Sequence, residues 1–384
     1  MADIKIKQTS VGGDYSTETY FEANGYDYLN EDLIKALFGG EAAGDGPKNC
    51  EKALPVEVAQ PIVRDDGVKE ETVVIYDDFG IPSIMRKFSR VTNAELFGGS
   101  DKPHPAFVIG GEVYDEIYIS VYPNTEINGK PYSLPFMKPW TSIANDDAAR
   151  ACFAKGAGWH MMTAAEWGLV ANISLKNGTL PHGNTASGKY HADPSECGEV
   201  YEYGRTLAGS GPATWTHNHQ PDGVHDLCGN IWEMLRGMRV RNGMLQTVKD
   251  NDAAMDIDLS LDGEAWCAVR DDAGEKVRFS VNDEGEIAIT STPETEDTEH
   301  NYDGCEWSDA EMDCESEQLH ELALFDGEPN AYLYVDSTVG EYFPYRGGRW
   351  NNGTYAGVFG TYFNIARTLT NTGIGFRSAF YKKH

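Results

Sequence analysis

The chain has 384 residues, of which 40% are apolar, enough for two or three domains and a real buried core. Its 61 acidic side chains against 31 basic ones leave a net charge of −30, which repels phosphate backbones and anionic lipid heads and argues against nucleic-acid binding. No run of about eighteen apolar residues is present, and the N-terminus MADIKIKQTS lacks the apolar stretch of a secretory signal, so neither membrane insertion nor general export is expected.

Residues 1 to about 80 carry acidic and Gly-rich stretches such as GGEAAGDGPKN and then the β-branched run EETVVIYDD, which predicts a strand. They are expected to form a small N-terminal docking or oligomerisation module. From HPAFVIGGEVYDEIYISVYPN, residues 104 to 124, apolar residues alternate between Gly, Pro and Asn, which predicts paired strands and the start of a main domain spanning 104 to 384. Residues 145 to 172 predict two short helices. The first is opened by Asn145 and closed by Gly156, and the second is opened by Thr163 with Glu166 three places on, a capping box. The stretch GNIWEMLRGMRVRNGMLQTV reads as strand. Residues from about 250 to 335 turn strongly acidic (PETEDTEHNYDGCEWSDAEMDCESEQ) and read as an insertion of weakly patterned, solvated chain.

The seven cysteines, Cys50, Cys152, Cys197, Cys228, Cys267, Cys305 and Cys314, are odd in number and never in a C-x-x-C pair, so they are expected reduced and mostly buried. His217, His219, His225 and Cys228 fall within a dozen residues, which is a zinc-like density, but the loop THNHQPDGVHDLC reads more simply as polar turns held by Asp222, Asp226 and Asn230. Glu328 to Asn330 spell the sugar-binding tripeptide of calcium-dependent lectins without its Trp-Asn-Asp partner, a coincidence. Glu166 and Glu233 each stand beside a Trp and read as capping or stitching groups rather than an acid/base pair.

Three segments recur in a known order: GWHMMTAAEWGLVA at 158 to 171, DGVHDLCGNIWEML at 222 to 235, and YRGGRWNNG with IGFR between 345 and 377. Together they resemble the formylglycine-generating-enzyme type of C-type lectin fold, which implies an α+β domain over residues 104 to 384 with the acidic stretch as an insertion. The formylglycine-generating enzymes need cysteines near the C-terminal frame for their thiol chemistry. This chain has none after Cys314, so the resemblance implies the fold without the oxidase activity.

Within that superfamily the C-terminal segment is most similar to the variable proteins of diversity-generating retroelements. Arg346 to Gly353, Ala356 to Phe359, Ala366-Arg367 and Ile374 to Arg377 match their frame. The resemblance implies a gene end overwritten from a template by a reverse transcriptase that misincorporates at adenines. Changing only adenines in the Asn codon AAC reaches Tyr, Ile, Leu, Thr and Gly, and the residues between frame positions are all of these types or Asn: Thr354, Tyr355, Tyr362, Asn364, Ile365, Thr368, Leu369, Thr370, Asn371, Thr372 and Gly373. Trp350, Val358, Phe359 and Phe376 need no adenine in their codons.

Tyr gives large contact area for little rotamer entropy, and Thr, Asn and Gly add adaptable hydrogen bonds, a content suited to a binding surface. Tyr355, Tyr362, Ile365 and Leu369 are the expected apolar anchors, and Asn364, Thr368, Thr370, Asn371 and Thr372 the polar contacts. Arg346, Arg367 and Arg377 are expected to clamp carbonyls or carboxylates beneath them, with Trp350, Phe359 and Phe376 buried as the rigid frame. The implied protein is not an enzyme and needs no cofactor, although a structural calcium is compatible with its acidic loops. It binds a protein or glycan on a host cell from the surface of a phage or prophage particle, as a tail-tip protein, docked through its N-terminal module and with a trimer as a fitting assembly. A non-diversified virion decoration protein and a degenerate enzyme of the same superfamily are the alternatives.

Overall fold

The computed structural model describes residues 5–10, 17–23, 26–29, 69–281, 287–292, 305–306, 309–325, 332–335 and 340–383. The chain divides into two compact units, Met1–Ile62 and Val63–His384. In the first, the strands Lys5–Ser10, Thr17–Ala23 and Tyr26–Leu29 form an antiparallel sheet with Ile6 opposite Phe21 and Tyr20 opposite Leu29. The Gly-rich stretch GGEAAGDGPKN lies outside the described residues.

The second unit is a mixed α+β fold, mostly sheet with few helices, and its largest sheet curls into a half-barrel. The strand expected from EETVVIYDD forms as Glu70–Tyr76, but it belongs here and not to the N-terminal module. It is the edge of a five-stranded sheet that continues through Pro82–Ser89, Glu116–Ser120, Ser378–Phe380 and Trp159–Met161. Ile84, Met85 and Phe88 of the second strand are buried, and Glu70–Tyr76 pairs with that strand along its whole length.

Helix Ala164–Lys176 is the spine of that core. Thr163 and Glu166 close the expected capping box in both directions, and every residue from Ala164 to Ser174 is buried. Trp167 donates its indole N–H to the Val358 carbonyl at 2.8 Å, which fixes the C-terminal strands to the helix. The shorter helix Asn145–Phe153 departs from expectation at its start. Ala144 is the N-cap, without a side-chain hydrogen bond, and Asn145 instead donates to the Leu235 carbonyl at 3.3 Å. Asp146 and Asp147 still place negative charge on the first turn, where the helix dipole favours it.

The larger sheet runs in the order Cys305–Glu306, Tyr332–Val335, Gly357–Ile365, Glu341–Gly347, Met238–Arg241, Met244–Thr247, Arg278–Val281, Ile287–Thr290 and Glu311–Met312. Strand Trp232–Met234 branches from it, antiparallel to Glu341–Gly347 and parallel to Ile374–Gly375. Five of its strands come wholly from the stretch between 278 and 335, so the described parts of the acidic region are not a solvated insertion. Val269, Val277, Phe279, Ile287, Ile289, Leu319, Leu324 and Phe325 all enter the main core. The acidic side chains between them set the composition, while period-two alternation, as in Val277-Arg278-Phe279, sets the structure.

Candidate ligand-binding site

Strand Gly357–Ile365 organises the C-terminal surface. It pairs in parallel with Tyr332–Val335 and antiparallel with Glu341–Gly347. Because successive side chains point to opposite faces, Leu333 and Val335 enter the main core while Tyr332 and Tyr334 join Tyr362 on the other side. Tyr362 stacks on Tyr334 at 5.2 Å, tilts against Trp232 at 4.4 Å and Tyr345 at 5.6 Å, and Tyr332 meets Tyr355 at 4.4 Å. The result is a connected platform of aromatic rings. Burial raises the Tyr345 and Tyr362 phenols, so both stay neutral, and the Asn364 side chain hydrogen-bonds Tyr345.

Around this platform the residues between frame positions divide sharply. Thr354, Thr368, Thr370, Asn371 and Thr372 are exposed, as are Tyr355 (45%) and Leu369 (42%), while Tyr362 and Asn364 are half-buried. Ile365 and Gly373 do not fit the expectation. The register slips by one beside Asn364, where Phe343 pairs with Ile365 but Pro344 with Phe363, a bulge. Ile365 is 1% exposed and packs with Trp232, Tyr345, Ile374 and Phe376, so it supports the surface from below instead of anchoring a ligand. Gly373 is buried, and a Cβ there would stand 2.8 Å from the Trp350 ring.

The arginine clamps form as expected. Arg346 is fully buried and donates to the Leu322 and Ala323 carbonyls at 3.2 and 2.9 Å, and burial pulls its guanidinium down to about 9. Arg367 bridges Asp146 and Glu341, both at 2.8 Å, and so ties the Asn145–Phe153 helix to the loop that follows the strand. Arg377 pairs with Glu233, with Nε to Oε2 at 2.7 Å, and reaches the Ser120 and His225 carbonyls at 3.0 and 2.9 Å. Phe359 and Phe376 are buried. Trp350 is not: it is half-buried, with Arg349 at 5.3 Å and Arg205 at 5.7 Å from its ring.

The Arg-Gly-Gly turn explains itself sterically. Gly347 and Gly348 have φ of 91° and 92°, and added Cβ atoms would lie 2.7 Å from the Leu227 carbonyl oxygen and 2.4 Å from the Ala356 Cβ. The exposed loop beyond the strand is held through its backbone. Ser142 donates to the Asn371 carbonyl at 3.0 Å, and Arg205 to that of Thr372 at 2.5 Å. One side chain on the loop also holds it: the Asn371 amide oxygen accepts the Gly373 N–H at 2.7 Å.

Sequence reasoning missed Tyr332, Tyr334, Tyr345, Trp232 and Arg349. Alternation of Tyr332 and Tyr334 with Leu333 and Val335 was the available signal, obscured by the acidic composition around it.

Other constellations resolve into separate contacts. His217 pairs with Glu70 at 3.0 Å, His219 meets the Leu180 carbonyl and His225 that of Pro221, while Cys228 is buried. Burial alone would raise the Glu70 carboxyl, but His217 and Arg86 together hold it at about 2. Glu166 caps its helix and receives His160 at 2.7 Å, and Glu233 is the Arg377 partner, so both stitch the fold as expected. Among the described residues no group of three or more His, Cys, Asp or Glu is placed to hold a metal, and no helix is long and apolar enough to cross a membrane. Glu328 to Asn330 lie outside the described residues. Cys152 and Cys228 are buried, whereas Cys197 and Cys267 are exposed, contrary to the general expectation of burial. A cavity of about 920 Å³ lined by Phe97, Ser100, Asp272, Asp313, Glu315 and His320 shares no residue with the aromatic platform. No known protein family matches the chain, and no curated protein matches it.

Proposed function

We propose that this chain is a ligand-binding protein with a C-type lectin-like domain of the formylglycine-generating-enzyme subtype. Its C-terminal segment is the diversified recognition surface of a retroelement variable protein. The observation that carries the reading is the division within residues 346–377. Arg346, Phe359, Phe376 and Arg377 are buried, while Thr354, Tyr355, Thr368, Leu369, Thr370, Asn371 and Thr372 reach solvent. A frame held by backbone contacts and buried ion pairs tolerates change at its exposed positions, which is what a diversified receptor requires.

Binding is non-covalent and cofactor-free, with Tyr355, Tyr362 and Leu369 as apolar contacts and the threonines and asparagines as adaptable partners. The ligand is a protein or glycan on a host cell, met from the surface of a phage or prophage particle, with the N-terminal unit as the docking element. Deep sequencing of the gene's 3′ end across its carriers tests this. Substitutions confined to template adenines at codons 354 to 373, beside a near-copy of that end and a reverse transcriptase, are expected. A uniform segment without a template copy would sink the reading.

A further inference from the structure

The strands Val200–Glu202 and Arg205–Thr206 form a hairpin outside the segment 354 to 373. Glu202 pairs with Arg205, so Tyr203 and Gly204 are its two-residue turn, and both are left-handed, with φ of 50° and 87°. Asn, Asp and Gly favour that conformation at the first turn position, and a tyrosine there costs stability. The Tyr203 side chain nevertheless stands 78% exposed, more than any other large apolar side chain among the described residues. A residue that its turn disfavours and the core does not use points to a role outside folding.

Two ties set this tip beside the C-terminal surface. Arg205, itself buried, donates to the Thr372 carbonyl at 2.5 Å and to Glu202 at 3.1 Å. Its guanidinium lies 5.7 Å from the Trp350 ring and 5.9 Å from that of Tyr203. Gly204 packs so closely on Ser187 that an added Cβ would fall 2.9 Å from the Ser187 Cα, and the Ser187 N–H donates to the Trp350 carbonyl at 2.6 Å.

We propose that Tyr203 is a fixed contact of the recognition surface, inserting into a recess on a basic protein partner while residues 354–373 supply the changing contacts beside it. A ring projecting from a turn tip meets a small molecule on one side only, whereas a protein surface can close around it. Tyrosines enclosed in this way are among the side chains that carry most of a protein interface's affinity. The turn is short and closed by the Glu202 and Arg205 pair, so the ring is presented with little backbone freedom left to lose. The net charge of −30 steers basic partners toward the chain and repels acidic ones. The inference rests on the ligand-binding reading above and narrows its ligand to a protein.

Thermal unfolding of the full chain and of its Tyr203→Asn variant is the first test. Asparagine suits the turn better, so the melting temperature is expected to be equal or higher, and a clear fall would make Tyr203 a folding residue and overturn the assignment. For the second, the full chain is displayed as a library varied by adenine substitution at codons 354 to 373 and selected separately on lysozyme, a basic protein, and on dextran, a neutral glycan. Tyr203→Asn is expected to weaken most independent lysozyme binders by about tenfold or more, and Tyr203→Phe by less than about threefold. Lysozyme binders that ignore Tyr203→Asn overturn the assignment and leave the diversified receptor standing. Dextran binders that depend on Tyr203, in place of lysozyme binders, overturn it in favour of a sugar partner. A library that yields no binder to either refutes the diversified receptor itself, and the inference falls with it.

Discussion

Phe363 and Tyr362 are neighbours on one strand, yet Phe363 is fully buried against Phe279 at 5.4 Å while Tyr362 is half exposed among four other aromatic rings. The same contrast holds along the segment: Arg377 and Glu233 are sealed together in the interior, and Leu369 to Thr372 stand in solvent on a loop held by its backbone. Alternation across a strand thus sets a core side chain and a half-exposed one at adjacent positions.

The strongest way to break this comparison is Arg377→Ala, which strands a buried carboxylate and removes donors from the Ser120, Val121 and His225 carbonyls. It should cost about 3–5 kcal/mol in denaturant unfolding, and a loss below about 1 kcal/mol would show that the pair does not hold the frame. Ile365→Ala sharpens the boundary itself. As a core residue Ile365 should cost about 2–4 kcal/mol when truncated, and a near-neutral result would return it to the surface.

Acid strains the frame without touching the surface. Glu70 has a folded value of about 2 against an ordinary 4.5, so between those values the unfolded chain binds more protons. Its stabilisation, about 3 kcal/mol, is present above pH ~4.5 and lost as pH falls toward 2. Unfolding free energy measured across that window should flatten in Glu70→Gln, and an unaltered slope would assign the acid sensitivity elsewhere. The smallest effects belong to the loop: Leu369→Ser, Thr370→Ala and Thr372→Ala should each shift stability by less than about 0.5 kcal/mol, read from the same unfolding curves.

Much of the frame was legible in the chain. The Thr163 and Glu166 capping box involves residues three apart, and the three arginines were recognisable as clamps because a guanidinium in an apolar neighbourhood must find acceptors. What misled was composition. The region from 250 to 335 is acidic on average, but Phe279 and Ile289 are core residues whose alternation matters more than the charges beside them. Trp350 was expected inside as part of the rigid frame, and it is half-buried with Arg349 and Arg205 beside its ring.

By itself the sequence determined the local devices: helix caps, the Gly347-Gly348 turn and the division of residues 346–377 into a Gly, Arg, Trp and Phe skeleton and the Tyr, Thr, Asn, Ile and Leu between. These depend on side chains within a few positions of one another. The tertiary structure alone decided that Glu70–Tyr76 joins the main unit, that the bulge beside Asn364 turns Ile365 inward, and that Tyr332, Tyr334 and Arg349 complete the platform. Each follows from strand pairing and packing between residues distant in the chain, where a one-residue slip in register changes which face a side chain occupies.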